Sequence, residues 1–265
     1  MWSKGAVWLT QRRCVASRPQ FAVFDKVFAL TDSYMGGADA RGSYSEYVRV
    51  KEEWVAAAPP SLPLKDAAAV PLAGLTAWQA LQHAPQSGRI LILGASGGVG
   101  QFAVQLAKLR GLTVVGTCSA SHAQLVRDLG AEETFDYAAG CEALGDKYGK
   151  SKFDAILDLV GGDLLQCAVT QLLKPSGATV IHVRNRGADA ETAARLEEEA
   201  TRRSARWHTI LVKPSGEQLA QLAELIEAGK LRVNVAHVMP LEDVSKAHEL
   251  VEGGHAGGKV VLKVV

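Results

Sequence analysis

The chain has 265 residues, with 29 Lys and Arg against 28 Asp and Glu, so its formal net charge is only +1. This balance gives no electrostatic reason to expect nucleic acid as a partner. A hydrophobic content of 48% and a charged content of 22% are typical of a globular protein and exclude a disordered, collagen-like or coiled-coil chain. Since no apolar run approaches the ~20 residues of a membrane-spanning helix, we expect no integral membrane segment.

Residues 1–22 are basic and contain no acidic side chain before Asp25. This bias is typical of an organellar transit peptide, and a loose or misassigned N-terminus is the alternative. The location of the protein therefore stays open between the cytoplasm and an organelle such as a mitochondrion or plastid.

The next segment, residues 24–57, has a β-like pattern. An apolar run at 27–30 is followed by a glycine-containing loop and then by a predicted extended stretch at 44–50. Residues 64–84 are then predicted to be helical, with an interruption at Pro71.

From residue 90 onward, short apolar runs alternate with helical patterns. The predicted strands are 90–93, 113–117, 135–137, 153–160, 178–183, 207–212 and 259–264, and the predicted helices are 99–109, 123–129, 164–173, 188–203, 216–228 and 241–251. Such alternation indicates parallel strands joined by crossover helices. We therefore predict the α/β class with a doubly wound parallel sheet.

Four cysteines, Cys14, Cys118, Cys141 and Cys167, are spread along the chain without a CxxC pair. This spacing predicts no disulfide framework and favours a reducing compartment. Neither the cysteines nor the seven histidines have zinc-finger or HExxH spacing, so we expect no metal site.

The segment 94–100 reads Gly-Ala-Ser-Gly-Gly-Val-Gly and connects an apolar strand to a helix. Glycines in this position permit a tight turn and let backbone N–H groups at the helix N-terminus approach a pyrophosphate. The pattern predicts dinucleotide binding, and a generic glycine-rich turn is the alternative.

The end of the second predicted strand indicates which dinucleotide is preferred. An NAD site usually has Asp or Glu there, but no acidic residue occurs between Asp66 and Asp128. The strand ends instead at Ser119, Ser121 and His122, which suit the 2′-phosphate of NADP(H). The alternative is that the two serines simply cap the following helix, and the two roles are compatible with each other.

Five stretches carry a resemblance to a known family: 67–78, 94–100, 129–137, 153–162 and 253–261. The chain resembles the zinc-independent, quinone oxidoreductase-like branch of the medium-chain dehydrogenase/reductase superfamily. It is similar to the mitochondrial reticulon-interacting and the plant quinone-oxidoreductase-like members.

The resemblance implies that NADPH is held at the strand ends and near the C-terminus. The implied positions are Thr76, Val160 and Gly161 at the nicotinamide, Ser96, Gly97, Gly98 and Val99 at the pyrophosphate, Ser119 at the 2′-phosphate, Tyr137 at the adenosine ribose, and His255, Ala256 and Lys259 on the C-terminal side. Thr76 as a buried helix hydroxyl and Tyr137 as a core aromatic are the alternatives.

The resemblance also implies a GroES-like barrel, of which only residues 25–30 resemble a recognisable middle part. We therefore predict an unassigned segment at 1–22, a truncated GroES-like β domain formed by 23–74 and 240–265, and a dinucleotide-binding domain at 75–239.

The implied activity is hydride transfer from NADPH to a small quinone or to an activated alkene. Reduction of an activated alkene is the reaction of an enoyl reductase. The alternatives are a catalytically weak NADPH-binding scaffold or partner protein, and a truncated gene model of a normal enzyme. No catalytic residue is identified: Tyr44 and Tyr47 qualify only by their chemistry, and Tyr47 is better explained as a strand aromatic. Residues 207–212 are predicted to form an edge strand that supports a homodimer.

Overall fold

The computed structural model describes residues 6–9, 21–22, 25–31, 42–150, 152–183, 190–254 and 256–264. Its strands are β1 (Ala6–Leu9), β2 (Val27–Ala29), β3 (Val55–Ala57), β4 (Arg89–Leu93), β5 (Thr113–Cys118), β6 (Glu133–Asp136), β7 (Ala155–Asp158), β8 (Thr179–Val183), β9 (Arg206–Ile210), β10 (Val235–Pro240) and β11 (Lys259–Lys263). Its α-helices are α1 (Leu64–Ala67), α2 (Val70–Leu81), α3 (Gly98–Leu109), α4 (Ala123–Asp128), α5 (Gly140–Tyr148), α6 (Gly162–Cys167), α7 (Ala190–Arg202), α8 (Gly216–Glu227) and α9 (Val244–Glu252). No helix within these ranges combines the length and the apolar character needed to cross a membrane.

The large sheet has the strand order β6-β5-β4-β7-β8-β9, and every pairing in it is parallel. The chain moves outward from β4 to β6 and then returns to the other side of β4 at β7. Strands β4 and β7 are almost wholly buried, as expected for central strands covered on both faces. The predicted doubly wound α/β fold is confirmed.

The chain divides into two compact units, one of which is Thr76–Leu211. We call it the large-sheet unit. Its core is built from apolar residues of the central strands and of the helices that cover them: Leu91, Leu93, Val115, Phe135, Leu144, Phe153, Ile156, Leu165, Val169, Leu172 and Val180.

The second unit consists of the described residues before Thr76 and after Leu211. It contains a parallel three-stranded sheet in the order β1-β11-β10 and the antiparallel pair β2–β3. Alternate residues of β11 enter two different clusters: Val261 packs with Ala68 and Ala69, while Val260 and Leu262 pack with residues of α9.

Some predicted elements differ from the observed ones. Residues 42–50 join no strand, so the predicted extended stretch at 44–50 is not part of a sheet. Helix α5 and strand β10 were missed: α5 carries glycines at both of its ends and near its middle, and β10 is partly exposed and ends in proline. Segment 1–22, predicted as unassigned, contributes β1 through a parallel pairing with β11.

The expectation of no disulfide is wrong for one pair of cysteines. Cys141 on α5 and Cys167 on α6 form a disulfide across 26 positions of the sequence. Because α5 itself was not predicted, the sequence offered no reason to place these two side chains together. Cys118 is buried and free, and Cys14 lies outside the described residues.

Candidate functional site

The turn after β4 begins at Gly94, whose φ of +82° lies in the left-handed region that favours glycine. The turn is attached to the neighbouring strand β5 at two points. Gly94 N–H donates to Thr117 Oγ1 at 3.0 Å, and Ala95 N–H donates to the Thr117 carbonyl at 2.8 Å. These two bonds hold the turn at the carboxyl edge of the sheet.

Helix α3 packs too closely on this turn to allow a side chain at Gly100. A Cβ there would collide with the Gly94 carbonyl oxygen and with the backbone of Ala95. The first N–H of the helix that bonds within it is Gln101 N–H, which donates to the Gly97 carbonyl at 3.0 Å. The N–H groups of Gly98, Val99 and Gly100 precede it in the first turn of the helix, at its positive end, an arrangement that suits a pyrophosphate.

Two glutamines that the sequence analysis did not select support the same turn. Gln101 Nε2 donates to the Ser96 carbonyl at 2.7 Å, and Gln105 Nε2 donates to the Gln101 carbonyl at 2.9 Å. Both side chains are buried. Gln101 ties the Ser96 carbonyl to helix α3, and Gln105 bonds the helix backbone at Gln101. Two glutamines four residues apart, directly after the glycine turn, were the sequence signal that could have identified them.

Polar side chains cluster at the end of β5. Ser119 Oγ lies 3.0 Å from Ser121 Oγ and 2.9 Å from His122 Nδ1. Although Ser119 occupies the N-cap of the short turn 120–122, its side chain makes no capping bond. The capping alternative is therefore wrong for Ser119, whose hydroxyl bonds to side chains instead.

One carboxylate does lie at the neighbouring strand end. Asp136, the last residue of β6, is paired in register with Cys118, and its Oδ1 accepts the N–H of Ala138 at 3.0 Å. Burial raises the pKa of the Cys118 thiol, Asp136 raises it further, and Arg127 lowers it. Tyr137, next along the chain, is 45% exposed, so it is not a core aromatic.

A buried charged group ends β7 on the other side of β4. Asp158 is 0% exposed, and its Oδ1 accepts N–H bonds from Val160 at 3.1 Å and from Gly161 at 2.8 Å. Its Oδ2 lies 2.8 Å from His182 Nδ1 on β8. The side chain of Val160 is 64% exposed beside Gly94.

The large-sheet unit thus brings eight of the predicted residues to the carboxyl edge of its sheet. They are Ser96, Gly97, Gly98, Val99, Ser119, Tyr137, Val160 and Gly161. Thr76 is the first residue of the same unit and is buried within α2.

The remaining predicted residues are not part of this unit. Ala256 and Lys259 belong to the second unit, and His255 lies outside the described residues. Lys259 is buried in β11, and this burial lowers the pKa of its ammonium to about 8.

The two tyrosines considered as acids also belong to the second unit. The Tyr44 hydroxyl lies 2.7 Å from His248 Nε2, and burial raises its pKa to about 12. Tyr47 is 62% exposed and lies outside every strand, so its interpretation as a strand aromatic is wrong.

The sheet order, with a glycine turn and a helix N-terminus after its first strand, defines a Rossmann-type dinucleotide-binding fold. Residues 129–262 match the family model described as zinc-binding dehydrogenase. Within the part of the chain that the structure describes, no group of three or more His, Cys, Asp or Glu side chains is placed to hold a metal ion.

Individual relatives indicate the branch of the family more specifically than the family model does. The mitochondrial NAD(P)H oxidoreductase RTN4IP1 of Danio rerio is 35% identical over 247 residues, which cover 85% of this chain and 63% of the relative. The chloroplastic quinone-oxidoreductase QR1 of Triphysaria versicolor is 34% identical over 247 residues, covering 90% and 72%. The solved quinone oxidoreductase of Coxiella burnetii is 33% identical with a TM-score of 0.82, covering 94% of this chain and 75% of that one.

The chain belongs to the medium-chain dehydrogenase/reductase superfamily, in its quinone oxidoreductase-like branch. It spans slightly less than two thirds of the length of the Danio rerio relative.

Proposed function

We propose that this chain is an NADPH-dependent oxidoreductase that transfers hydride to a small quinone or activated alkene. The cluster of Ser119, Ser121 and His122 at the end of β5 is the observation that carries the cofactor preference. Hydroxyl and imidazole groups there can donate hydrogen bonds to a 2′-phosphate, whereas a carboxylate at the same place would repel it.

The glycine turn after β4 supports binding of the rest of the cofactor. The N–H groups of Gly98, Val99 and Gly100 in the first turn of α3 suit a pyrophosphate, and Tyr137 is exposed at the strand end next to Ser119. Val160 and Gly161 would then face the nicotinamide, which serves as the hydride donor when it is bound. In the second unit, Ala256, Lys259 and His255 stay predicted contacts.

Hydride transfer to a conjugated acceptor requires little from the protein beyond the positioning of cofactor and acceptor. A conjugated acceptor delocalises the incoming charge, so no metal is required, and the protein contributes alignment and shelter from water. No side chain is assigned here as a proton donor.

Fluorescence titration with NADPH and NADH, followed by assays with a simple quinone and a simple enone, tests the proposal. We expect NADPH to bind at least tenfold more tightly than NADH, and NADPH oxidation to depend on the acceptor. Equal affinities would contradict the cofactor preference. Tight NADPH binding without turnover of either acceptor would instead support a binding scaffold.

We propose further that the protein resides in an organelle and functions as a homodimer without zinc. The mitochondrial and chloroplastic relatives support the location. Strand β9 ends the large sheet as predicted and leaves a backbone edge on which a second copy can pair. Light scattering of the wild type and of an Ile210→Pro variant measures their masses and so tests the dimer.

Elemental analysis tests the expectation of no metal, which a content of about one zinc per chain would contradict.

A further inference from the structure

Strand β7 contains one charged residue among apolar neighbours. Ala155, Ile156 and Leu157 are fully buried, and Asp158 continues the strand with a carboxylate that is equally buried. Removing such a group from water is costly unless every oxygen finds a partner, and an apolar residue would fill the same space more favourably. Packing alone therefore does not explain an aspartate at this position.

The two oxygens of Asp158 have different partners. Oδ1 accepts both backbone N–H groups of the turn that follows β7, those of Val160 and Gly161. Gly161 and Gly162 have φ values of +83° and +71°, in the left-handed region that glycine adopts readily, so the turn needs bonds from its surroundings to select one of the backbone conformations open to it. The carboxylate holds the turn from beneath while the Val160 side chain points outward.

The other oxygen is held by a neighbouring strand. Asp158 and His182 are paired in register on β7 and β8, and the Oδ2–Nδ1 distance is 2.8 Å. The imidazole is buried, and its ring centre lies 5.6 Å from the ring of Trp207 on β9. Both the packing and the register therefore fix the direction in which Nδ1–H donates.

We propose that Asp158 and His182 are positioning residues that set the conformation of the Val160–Gly161 turn for hydride transfer. This inference rests on the proposed function, in which the turn lines the nicotinamide. His182 orients the carboxylate, and the carboxylate orients the two peptide N–H groups. A small displacement of a group that aligns reacting atoms lowers turnover far more than it lowers binding.

A matched pair of variants at His182 tests the inference. In His182→Asn, the side-chain amide nitrogen takes the place of Nδ1 and still donates to Asp158. In His182→Leu, a side chain of the same shape as Asn has no donor. Thermal melting of both variants establishes that each is folded before any comparison.

The first measurement is amide hydrogen exchange of the cofactor-free protein. We expect peptides that contain Val160 and Gly161 to exchange at least tenfold faster in His182→Leu than in the wild type, and at the wild-type rate in His182→Asn. Equal exchange in the two variants would overturn the inference. This measurement is decisive even if the wild type neither binds NADPH nor reduces quinones, in which case the proposed function fails by itself.

The second measurement is steady-state kinetics with NADPH and a simple quinone. We expect His182→Leu to lower kcat about tenfold or more with the KM for NADPH changed by less than about threefold, and His182→Asn to retain kcat within about threefold. If both variants lose kcat equally, or if the two parameters change together, His182 has only a structural role and the inference is wrong.

Discussion

The two halves of the large sheet differ in how exposed the polar groups near their strand ends are. In the half formed by β4, β5 and β6, the strand ends present glycine N–H groups and the partly exposed cluster around Ser119. In the half formed by β7, β8 and β9, two polar side chains of the inner strands, Asp158 and His182, are buried and bonded to each other.

Under the proposed function, this difference separates two tasks of the carboxyl edge: binding the cofactor and aligning it. An exposed hydroxyl or N–H group can exchange its water for a ligand phosphate at small cost, so the first half is suited to bind charge. A buried network of carboxylate, imidazole and backbone N–H groups exposes little surface to a ligand but holds the backbone in place. Contacts in the first half should therefore govern affinity, and those in the second half should govern alignment.

The largest effect is expected at the glycine turn. In Gly100→Ala, the added Cβ collides with the Gly94 carbonyl and the Ala95 backbone, so the helix must move away from the strand. We expect NADPH affinity, measured by fluorescence titration, to fall at least a thousandfold, or about 4 kcal/mol. The control is Gly42→Ala, since a Cβ at Gly42 meets nothing within 4 Å. If Gly100→Ala binds NADPH as tightly as the wild type does, the first half of the sheet is not part of the NADPH site.

The disulfide that ties α5 to α6 is expected to have the next largest effect. It connects Cys141, in the segment after β6, with Cys167, in the segment after β7, and so closes a loop between the two halves. The double variant Cys141→Ala and Cys167→Ala is expected to lose about 3 kcal/mol of unfolding free energy in urea under oxidising conditions.

Reduction provides the control for this prediction. Dithiothreitol is expected to lower the stability of the wild type towards that of the double variant and to leave the double variant unchanged. A wild type with equal stability in both conditions would show that the bond does not form in solution.

A smaller effect is expected when charge is placed at the end of β5. Ser119→Asp introduces a carboxylate where a 2′-phosphate would lie, so the preference for NADPH over NADH should reverse, with a change of at least tenfold, or about 1.4 kcal/mol. Gln166→Glu adds the same charge to the exposed surface of α6 and serves as the control. If both variants shift the ratio of the two affinities equally, the effect is one of net charge and not of the site.

The smallest effect concerns pH and the outer strand of the second half. The rings of His83 and His208 stack with their centres 4.3 Å apart, and burial, then His83 and Arg206, lower the pKa of His208. Protonation is therefore easier in the unfolded chain, so the unfolding free energy should decrease as the pH falls through the ordinary histidine value of 6.5. Because this site is partly open to solvent, we expect a loss of less than about 1 kcal/mol.

Urea denaturation at pH 8 and pH 5.5 measures this difference. His208→Gln should remove the pH dependence that this group contributes, and His83→Gln should reduce it by removing one of the neighbours that lower the pKa of His208. An unchanged pH dependence in His208→Gln would contradict the prediction.

Local sequence patterns were enough to predict the architecture of the large sheet. Residues 90–93 of β4 form a continuous apolar run because both faces of this strand are covered. The turn between β4 and α3 requires glycines at positions where the backbone must turn tightly and pack closely. The residues 94–100, Ser119, Tyr137, Val160 and Gly161 could be placed at one edge because the carboxyl ends of parallel strands share that edge.

Other features depend on which distant residues become neighbours, and only the tertiary structure decided them. Asp158 meets His182 because β7 and β8 pair in a particular register, and Cys141 meets Cys167 because α5 and α6 pack side by side. No spacing within either segment specifies these contacts. The sequence determined which strand ends carry glycine, hydroxyl and imidazole groups, while the register between strands determined which buried side chains bond to each other beneath them, since register depends on packing across the whole sheet.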